Sequence, residues 1–243
     1  MKRIMITGAS SGIGAELVKQ YLANGCRVAA VARRLEKLQE LQSHSQEPGQ
    51  LTIYAGDVTS PDDMENIVAK IESEGDIVTT LIANAGVSMN TIGATFDAQS
   101  ARTIFETNII GVTNCIAAVL PTMVKHQAGH IVGISSLAAY INIPRSSVYC
   151  TSKTAVSSQL AGLYPELKDQ GIAVTTICPG FVKTPMTDRN RFKMPLILEV
   201  EEAAQRIIKA IDRKDRVYNF PKRLYYPIRA AGLLPRFLRE RII

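Results

Sequence analysis

Metal-binding patterns are missing from this sequence. It contains no tryptophan, three histidines and four cysteines, and no cysteine spacing matches that of a zinc site. Most of the cysteines lie among apolar residues, which is typical of buried thiols in a reducing compartment. The cysteines are Cys26, Cys115, Cys150 and Cys178. Because His44, His126 and His130 form no ligand set with them, we predict no metal site.

Long apolar runs and a leader-like N-terminus are also missing. No run of about 18 apolar residues occurs, so we expect no transmembrane helix. The chain enters its first apolar run at residues 3–7, which leaves no room for a signal peptide. These absences predict a cytoplasmic protein.

Linkers, repeats and low-complexity segments are absent before residue 214. Apolar residues make up 46% of the chain, enough for a sizeable core. The simplest organisation is therefore one domain over residues 1–220, followed by an extension over residues 221–243.

The net charge of +6 is concentrated near the C-terminus. From Arg213 onward there are nine Lys or Arg and two Asp or Glu, which gives +7 and leaves −1 for the rest of the chain. An almost neutral body is unsuited to nucleic acid, so we predict no nucleic-acid partner.

The extension at residues 221–243 is apolar and basic. Pro227 and Pro235 are expected to limit any helix within it to short pieces. Three interpretations stay open. The extension can fold over a substrate cleft, pack against a partner subunit, or make a peripheral contact with an anionic membrane surface.

Short apolar runs alternate with helix-like segments along the chain. This order predicts an α/β fold with three layers, in which a doubly wound parallel sheet of about seven strands carries helices on both faces. The predicted strands are residues 3–7, 27–32, 51–55, 78–83, 130–135, 172–178 and 216–220. The predicted helices lie near residues 13–24, 35–44, 61–74, 100–126, 148–170 and 200–213. Pro165 should kink or end the fifth helix.

A glycine-rich loop joins the first predicted strand to the first predicted helix. Its pattern, Gly-x-x-x-Gly-x-Gly, allows a tight turn, a close approach of backbone to a pyrophosphate, and close packing of helix on strand. The positive end of the helix dipole favours phosphate at the same place. The loop therefore predicts dinucleotide binding. The candidate contacts are Gly8, Ser10, Ser11, Gly12, Ile13 and Gly14.

The second predicted strand ends in two arginines, Arg33 and Arg34, where a carboxylate would bind the ribose 2′-hydroxyl of NAD. An arginine suits a 2′-phosphate instead, because its planar fork of donors matches the phosphate oxygens. We therefore expect NADP(H) rather than NAD(H).

Tyr149 and Lys153 are four positions apart, so both lie on one face of a predicted helix. A nearby ammonium favours the phenolate, and we expect Lys153 to lower the pKa of Tyr149 towards the operating pH. Ser136 follows the strand predicted at residues 130–135 and can bring its hydroxyl to Tyr149. These three residues predict an acid–base site.

The glycine-rich loop, Ser136 and Tyr149-x-x-x-Lys153 together resemble the short-chain dehydrogenase/reductase family, over residues 3–220. The resemblance implies a Rossmann-like fold, a homodimer or homotetramer, and hydride transfer between a nicotinamide and a small carbonyl or alcohol substrate. In it, Ser136 orients the carbonyl, Tyr149 is the general acid or base, and Lys153 binds the nicotinamide ribose. Asn108 resembles the asparagine that holds a water in a proton relay.

The resemblance also implies further cofactor contacts. After the third predicted strand, Asp57 and Val58 are similar to the pair that contacts the adenine ring. The fourth strand ends in a motif that supports the sheet and lines the cofactor, and a later loop holds the nicotinamide carboxamide. These two sets are Asn84, Ala85 and Gly86, and Pro179, Gly180, Val182 and Thr184. Pro165 interrupts the helix that forms a dimer bundle in many members of the family.

Three functions stay open at this point. The first is an NADPH-dependent carbonyl reductase, the second an NAD-dependent alcohol dehydrogenase, and the third a cofactor-binding regulator without turnover. Substrate selectivity in the family resides in the loop at residues 185–195. Its Arg189, Arg191 and Lys193 can bind an acidic substrate or a phosphopantetheine, or are solvated charges.

Overall fold

A parallel sheet forms the centre of the protein in a computed structural model, which describes residues 2–45, 47–89, 91, 93–190 and 193–232. The strands of this sheet are β1 Lys2–Thr7, β2 Val28–Ala32, β3 Leu51–Ala55, β4 Ile77–Ala83, β5 Gly129–Ile134, β6 Ile172–Pro179 and β7 Val217–Phe220. Their spatial order is β3-β2-β1-β4-β5-β6-β7, and every neighbouring pair is parallel. The seven predicted strands are confirmed.

Eight α-helices connect and cover the strands within the described residues. They are α1 Gly12–Ala23, α2 Leu35–Gln39, α3 Pro61–Ser73, α4 Ala98–Phe105, α5 Gly111–Lys125, α6 Ser147–Lys168, α7 Val200–Asp212 and α8 Lys222–Gly232. Short 3-10 helices occupy Glu40–His44, Gly93–Thr95 and Leu137–Tyr140. Proline and acidic residues begin α3, where Ser60 accepts a hydrogen bond from the Asp63 amide at 3.1 Å.

The sheet separates two hydrophobic cores. Adjacent residues of β1 enter different cores, since Met5 packs with α3, α5 and α6 whereas Ile6 packs with α1 and α7. Both side chains are fully buried. Helices thus cover both faces, which explains why the strands read as continuous apolar runs. The predicted three-layer α/β fold is confirmed.

The strand order reverses between β1 and β4. From β1 the chain first moves outward to β2 and β3, and then returns to add β4 on the other side. At such a switch point the connections leave in opposite directions, so a crevice opens at the carboxyl ends of the two strands. The crevice positions the site described below.

Two prolines lie inside helices, although Pro165 was predicted to kink or end its helix and Pro227 to limit any helix to short pieces. The α6 helix does not end at Pro165 but continues to Lys168. Leu160 and Leu167, on either side of the proline, are both buried in the core, and this packing offsets the missing backbone hydrogen bond. Likewise, α8 runs through Pro227 for 11 residues, so the prediction of short pieces is wrong there. Pro235 lies outside the described residues.

The helix predicted near residues 100–126 is divided into three parts. A π-helical turn, Glu106–Ile110, separates α4 from α5. The segment predicted near residues 35–44 is similarly α2 followed by a 3-10 turn. A π-turn inserts one extra residue into the helical phase, and this insertion leaves no mark in the pattern of apolar residues.

One helical stretch of the described residues, Ala98–Lys125, is long and apolar enough to cross a membrane by length and composition. A core helix passes the same test, and here α5 packs against α3 and β4. Its residues Cys115, Val119 and Met123 lie in the core. The stretch is therefore accounted for by its place in the fold.

His130 on β5 is buried, with its Nε2 at 2.8 Å from the Thr175 Oγ1. Burial, with a smaller effect of the Lys214 charge, lowers the pKa of His130 to about 4. The unfolded chain takes up this proton near pH 6.5, so between pH 6.5 and 4 protonation favours unfolding. The contribution of His130 to stability is complete above pH 6.5 and is lost as the pH falls towards 4.

The His130→Gln variant should therefore be less sensitive to acid than the wild type. Between pH 7.5 and pH 5, the wild type should lose about 2 kcal/mol more of its unfolding free energy than the variant. Urea denaturation at the two pH values measures this difference. His126→Gln, which changes an exposed histidine, is the control and should follow the wild type. Equal losses in wild type and His130→Gln would contradict a buried neutral imidazole.

Candidate active site

The turns that follow β1 and β4 lie against each other. Gly8 has a positive φ of 65°, and a Cβ there would come within 2.8 Å of the Ala85 Cα. A Cβ at Gly14 would lie 2.4 Å from the Gly8 carbonyl oxygen. Only glycine fits either position. Thr7 stabilises the contact between the two turns, because its Oγ1 accepts hydrogen bonds from the backbone amides of Asn84 and Ala85, both at 3.2 Å.

The N-terminus of α1 opens into the cleft. The backbone at Ser11 is extended, and its side chain does not cap the helix. Ser10, Ser11, Gly12 and Ile13 all line the cleft. The positive end of the helix dipole at this point favours a bound anion such as a pyrophosphate.

Two arginines lie beside the glycine-rich loop. The Arg34 guanidinium donates to the Oγ of Ser10 at 2.9 Å and of Ser11 at 3.2 Å. Arg33 pairs with Asp57 at 3.6 Å. Because both guanidiniums are exposed and line the cleft, this end has a positive potential suited to phosphate.

A cleft of about 580 Å³ joins this arginine end to the candidate catalytic residues. Within the described part of the chain, it brings together all the predicted site residues except Gly14 and Asn108. Gly14 lies behind the loop, where it permits the close packing of α1. The residues that line the cleft but were missed in the sequence are Val31, Ala32, Gly56, Val87, Ser88, Met89, Thr107, Ile134 and Ser135.

Ser136 and Tyr149 meet at the other end of the cleft. Ser136 follows β5 and caps the 3-10 helix Leu137–Tyr140, where its Oγ accepts from the Ala138 amide at 3.1 Å. Tyr149 lies in the first turn of α6 and hydrogen-bonds with the Ser136 side chain. The neighbouring Ser135 is tied instead to the Lys153 carbonyl, at 2.8 Å. Ser136 is therefore the serine that can share a ligand with Tyr149.

Lys153 is buried beneath Tyr149. Its Nζ donates to the Ile134 carbonyl at 3.0 Å and lies 5.8 Å from the centre of the Tyr149 ring. Burial disfavours the ammonium and lowers the pKa of Lys153 to about 8. The pKa of the Lys153 amine therefore lies about one unit above neutral pH.

The pKa of Tyr149 differs from the sequence-based expectation. Burial raises it to about 12, although the hydrogen bond with Ser136 acts in the opposite direction. The prediction that Lys153 brings this pKa below 10 is wrong for this structure. Desolvation of the phenolate outweighs the nearby amine, which is itself desolvated and bonded to a carbonyl.

Asn108 lies within the π-turn and is fully buried. Its Oδ1 accepts from the Val87 amide at 2.8 Å, and its Nδ2 donates to the Val87 carbonyl and to the Ser152 Oγ, both at 3.0 Å. Ser152 in turn donates to the Tyr149 carbonyl at 2.7 Å. The Asn108 side chain therefore connects the segment after β4 to the helix that carries Tyr149, while the preceding Thr107 lines the cleft.

The loop after β6 borders the cleft on its open side. Pro185, Met186 and Arg189 line the cleft, so part of the predicted substrate loop is at the site. Lys193 is exposed and is not among the lining residues. Arg191 lies outside the described residues. Among the described residues, no group of three or more His, Cys, Asp or Glu is arranged to hold a metal.

Comparison with known proteins agrees with this geometry. Residues 2–194 match the short chain dehydrogenase family. This chain belongs to that family. The short-chain dehydrogenase described here is accordingly an oxidoreductase. It is 37% identical to an "Uncharacterized oxidoreductase" of Myxococcus xanthus (strain DK1622) over 237 residues, which are 95% of this chain and 92% of that protein.

Two solved structures share the fold of this short-chain dehydrogenase. "ElxO with NADP Bound" is 25% identical with a TM-score of 0.81, and the match covers 90% of this chain and 96% of that one. A short chain dehydrogenase/reductase from Burkholderia phymatum in complex with NAD is 22% identical with a TM-score of 0.85, over 94% and 92% of the two chains.

The Asn108→Ala variant should be strongly destabilised, because it leaves the Val87 amide, the Val87 carbonyl and Ser152 without their side-chain partner. We expect the unfolding free energy to fall by about 3 kcal/mol. Asn114→Ala is the matched control, since the Asn114 side chain makes a single 2.9 Å bond to the Val58 carbonyl and should cost about 1 kcal/mol. Urea denaturation compares the two. Similar losses in both variants would show that the Asn108 network carries little stability.

Proposed function

We propose that this short-chain dehydrogenase is an NADPH-dependent carbonyl reductase, acting between a CH–OH group and a ketone or aldehyde. The observation that carries the proposal is the convergence of Ser136, Tyr149 and Lys153 at one end of a cleft whose other end is lined by Arg33 and Arg34. A nicotinamide dinucleotide long enough to span the cleft would bring its reactive ring to the tyrosine and its 2′-phosphate to the arginines.

The chain's own geometry fits such a cofactor. The glycine-rich turn, in which a Cβ at Gly8 would collide with the Ala85 backbone, leaves room for a pyrophosphate at the start of α1. Asp57 and Val58 line the cleft beside the arginines, at the adenine end. Pro179, Gly180, Val182 and Thr184 line it beside the serine. Bound there, NADPH would supply the hydride for the carbonyl carbon.

The side chains of Tyr149 and Ser136 then act on the carbonyl oxygen of the substrate. Tyr149 donates its proton to this oxygen, and Ser136 donates a hydrogen bond as negative charge develops. The high pKa of Tyr149 keeps the phenol protonated before the step. Lys153, with its pKa of about 8, lies beneath the ring and can return a proton from solvent.

Asn108 has a more limited role in this proposal than in the family resemblance. Its side-chain oxygen and nitrogen are already bonded to Val87 and Ser152. We therefore assign its side chain to holding α6, and with it Tyr149, against the segment after β4. If Asn108 takes part in the proton relay, we expect its backbone groups, and not its side chain, to do so.

The Tyr149→Phe variant tests the proton donor. It removes the hydroxyl and keeps the ring, so turnover should fall by at least about 100-fold while NADPH still binds. Consumption of NADPH with a panel of straight-chain and aromatic aldehydes and ketones gives the rate, and NADPH fluorescence gives the binding. Tyr164→Phe, on the same helix but away from the cleft, is the control. A variant with wild-type turnover would refute the assignment of Tyr149.

Substitutions at the arginine end of the cleft test whether the enzyme prefers NADPH or NADH. Combining Ala32→Asp with Arg33→Ala adds a carboxylate for a ribose hydroxyl and removes a phosphate partner, so the ratio of kcat/KM for NADPH to that for NADH should fall about tenfold or more. Lys37→Ala removes a neighbouring exposed charge that does not line the cleft and should leave the ratio unchanged. If the wild type already prefers NADH, the alternative of an NAD-dependent alcohol dehydrogenase replaces this proposal.

Assembly, location and domain boundaries stay predictions. The proposal includes a homodimer or homotetramer in the cytoplasm and one catalytic domain over residues 1–220. For the extension, residues Lys222–Gly232 form α8, which packs against β7 and the 3-10 helix after Ser136. A membrane or subunit contact therefore remains a prediction for its outer face and for residues 233–243, which lie outside the described residues.

A further inference from the structure

The C-terminal helix α8 packs directly against the segment that follows Ser136. The ring of Tyr225 meets that of Tyr140 edge to face, with their centres 5.6 Å apart. The Arg229 guanidinium lies 5.2 Å from the centre of the same Tyr140 ring. Aromatic pairs in this geometry, and a guanidinium near a ring, attract each other beyond simple burial. The side chains of Tyr225 and Arg229 thus stabilise the position of the Tyr140 ring.

Tyr140 is rigidly connected to Ser136. The two residues are the end and the N-cap of one 3-10 turn, Leu137–Tyr140. Inside it, the Ala139 amide donates to the Ser136 carbonyl at 3.0 Å and the Ala138 amide donates to the Ser136 Oγ at 3.1 Å. A displacement of Tyr140 would therefore be transmitted to the Ser136 hydroxyl through a single hydrogen-bonded turn.

The same helix also contacts the loop on the far side of Ser136. A Cβ on Gly180 would lie 3.0 Å from the Leu224 Cδ2 and 3.1 Å from the Pro221 Cδ. The Gly180 amide donates to the Phe220 carbonyl at 2.7 Å. The Ser136 Oγ reaches this loop too, at 3.4 Å from the Pro179 carbonyl. The beginning of α8 therefore touches both segments between which the Ser136 hydroxyl lies.

We propose that Tyr225 and Leu224 of α8 are positioning residues for catalysis. They fix the positions of the Ser136 hydroxyl and of the Pro179–Gly180 turn relative to Tyr149. The proposal rests on the proposed function, in which Ser136 stabilises charge at the carbonyl oxygen. Such a donor is effective only when it is placed within about 0.5 Å of its productive position. Its displacement affects the transition state more than the bound substrate, so kcat should change and KM should not.

Hydrogen–deuterium exchange on the full-length protein tests the contact without a substrate. In Tyr225→Ala, the peptide containing the Ala138 and Ala139 amides should exchange about tenfold faster than in wild type, because these amides donate to Ser136. In Tyr225→Phe, which keeps the ring, exchange should match wild type. Arg223→Ala, an exposed change on the same helix, should also match.

A peptide from the buried strand β2 is the internal reference in the exchange experiment. If its exchange rises by the same factor in Tyr225→Ala, the variant is globally destabilised, and Leu224→Ala is measured in its place on the peptide containing the Gly180 amide, because Leu224 packs against Gly180. Faster exchange confined to the turn after Ser136 supports the proposal. The proposal is overturned by unchanged exchange of that turn in folded Tyr225→Ala, or by unchanged exchange of the peptide containing the Gly180 amide in folded Leu224→Ala.

Kinetics separates positioning from a general structural role. With the aldehyde or ketone of the panel that wild type reduces fastest, Tyr225→Ala should lower kcat about tenfold and leave KM within about twofold. In a Ser136→Ala background the same substitution should change kcat by less than about twofold, because its effect passes through Ser136. A full tenfold loss in both backgrounds overturns the proposal. Failure of the proposed function would appear separately, as unaltered turnover in Tyr149→Phe.

Discussion

The contact between the turns after β1 and β4 is the constraint on which the site depends. The Asn84 side-chain Nδ2 donates to the Thr7 carbonyl at 2.9 Å and to the Gly8 carbonyl at 3.4 Å, so hydrogen bonds from a side chain to the backbone join the two turns. Because no side chain fits between them at Gly8 or Gly14, α1 begins close to the sheet and its N-terminus points into the crevice. Residues of both turns line the cleft, so this contact fixes the part of its wall that lies beside α1.

At the other end of the cleft, the dominant effect is desolvation rather than attraction between charges. Burial disfavours the charged form of both groups, so it moves the pKa of Lys153 down to about 8 and that of Tyr149 up to about 12. The phenol therefore stays a proton donor, and the Lys153 amine is mostly protonated at physiological pH but close enough to its pKa to give up a proton. The Ile134 carbonyl, as acceptor for the Lys153 amine, offsets part of the cost of burying it.

The features that were correctly predicted from sequence are those with local signals. Alternating apolar runs and helical segments were enough for the fold, and a glycine-rich turn between strand and helix marked the end of the cleft near α1. Apart from the contact between Ser136 and Tyr149, the tertiary contacts were not accessible from the sequence. Arg34 reaches Ser10 and Ser11 across 24 and 23 residues, and Thr107, which lines the cleft, lies in a π-turn that the sequence pattern did not reveal. Pro165 lies inside a helix because the packing of Leu160 and Leu167 outweighs a local preference.

The π-turn also sets how the two halves of the long helical stretch are oriented. An α-helix advances about 100° per residue, so removing one residue from Glu106–Ile110 would rotate α4 about the helix axis by roughly that angle relative to α5. Buried residues on the two halves, such as Ile104 before the turn and Cys115 after it, could then no longer face their cores together. The length of this segment is thus as restricted as its composition. Insertions and deletions, which a surface loop would absorb, are excluded here by the phase of the helix.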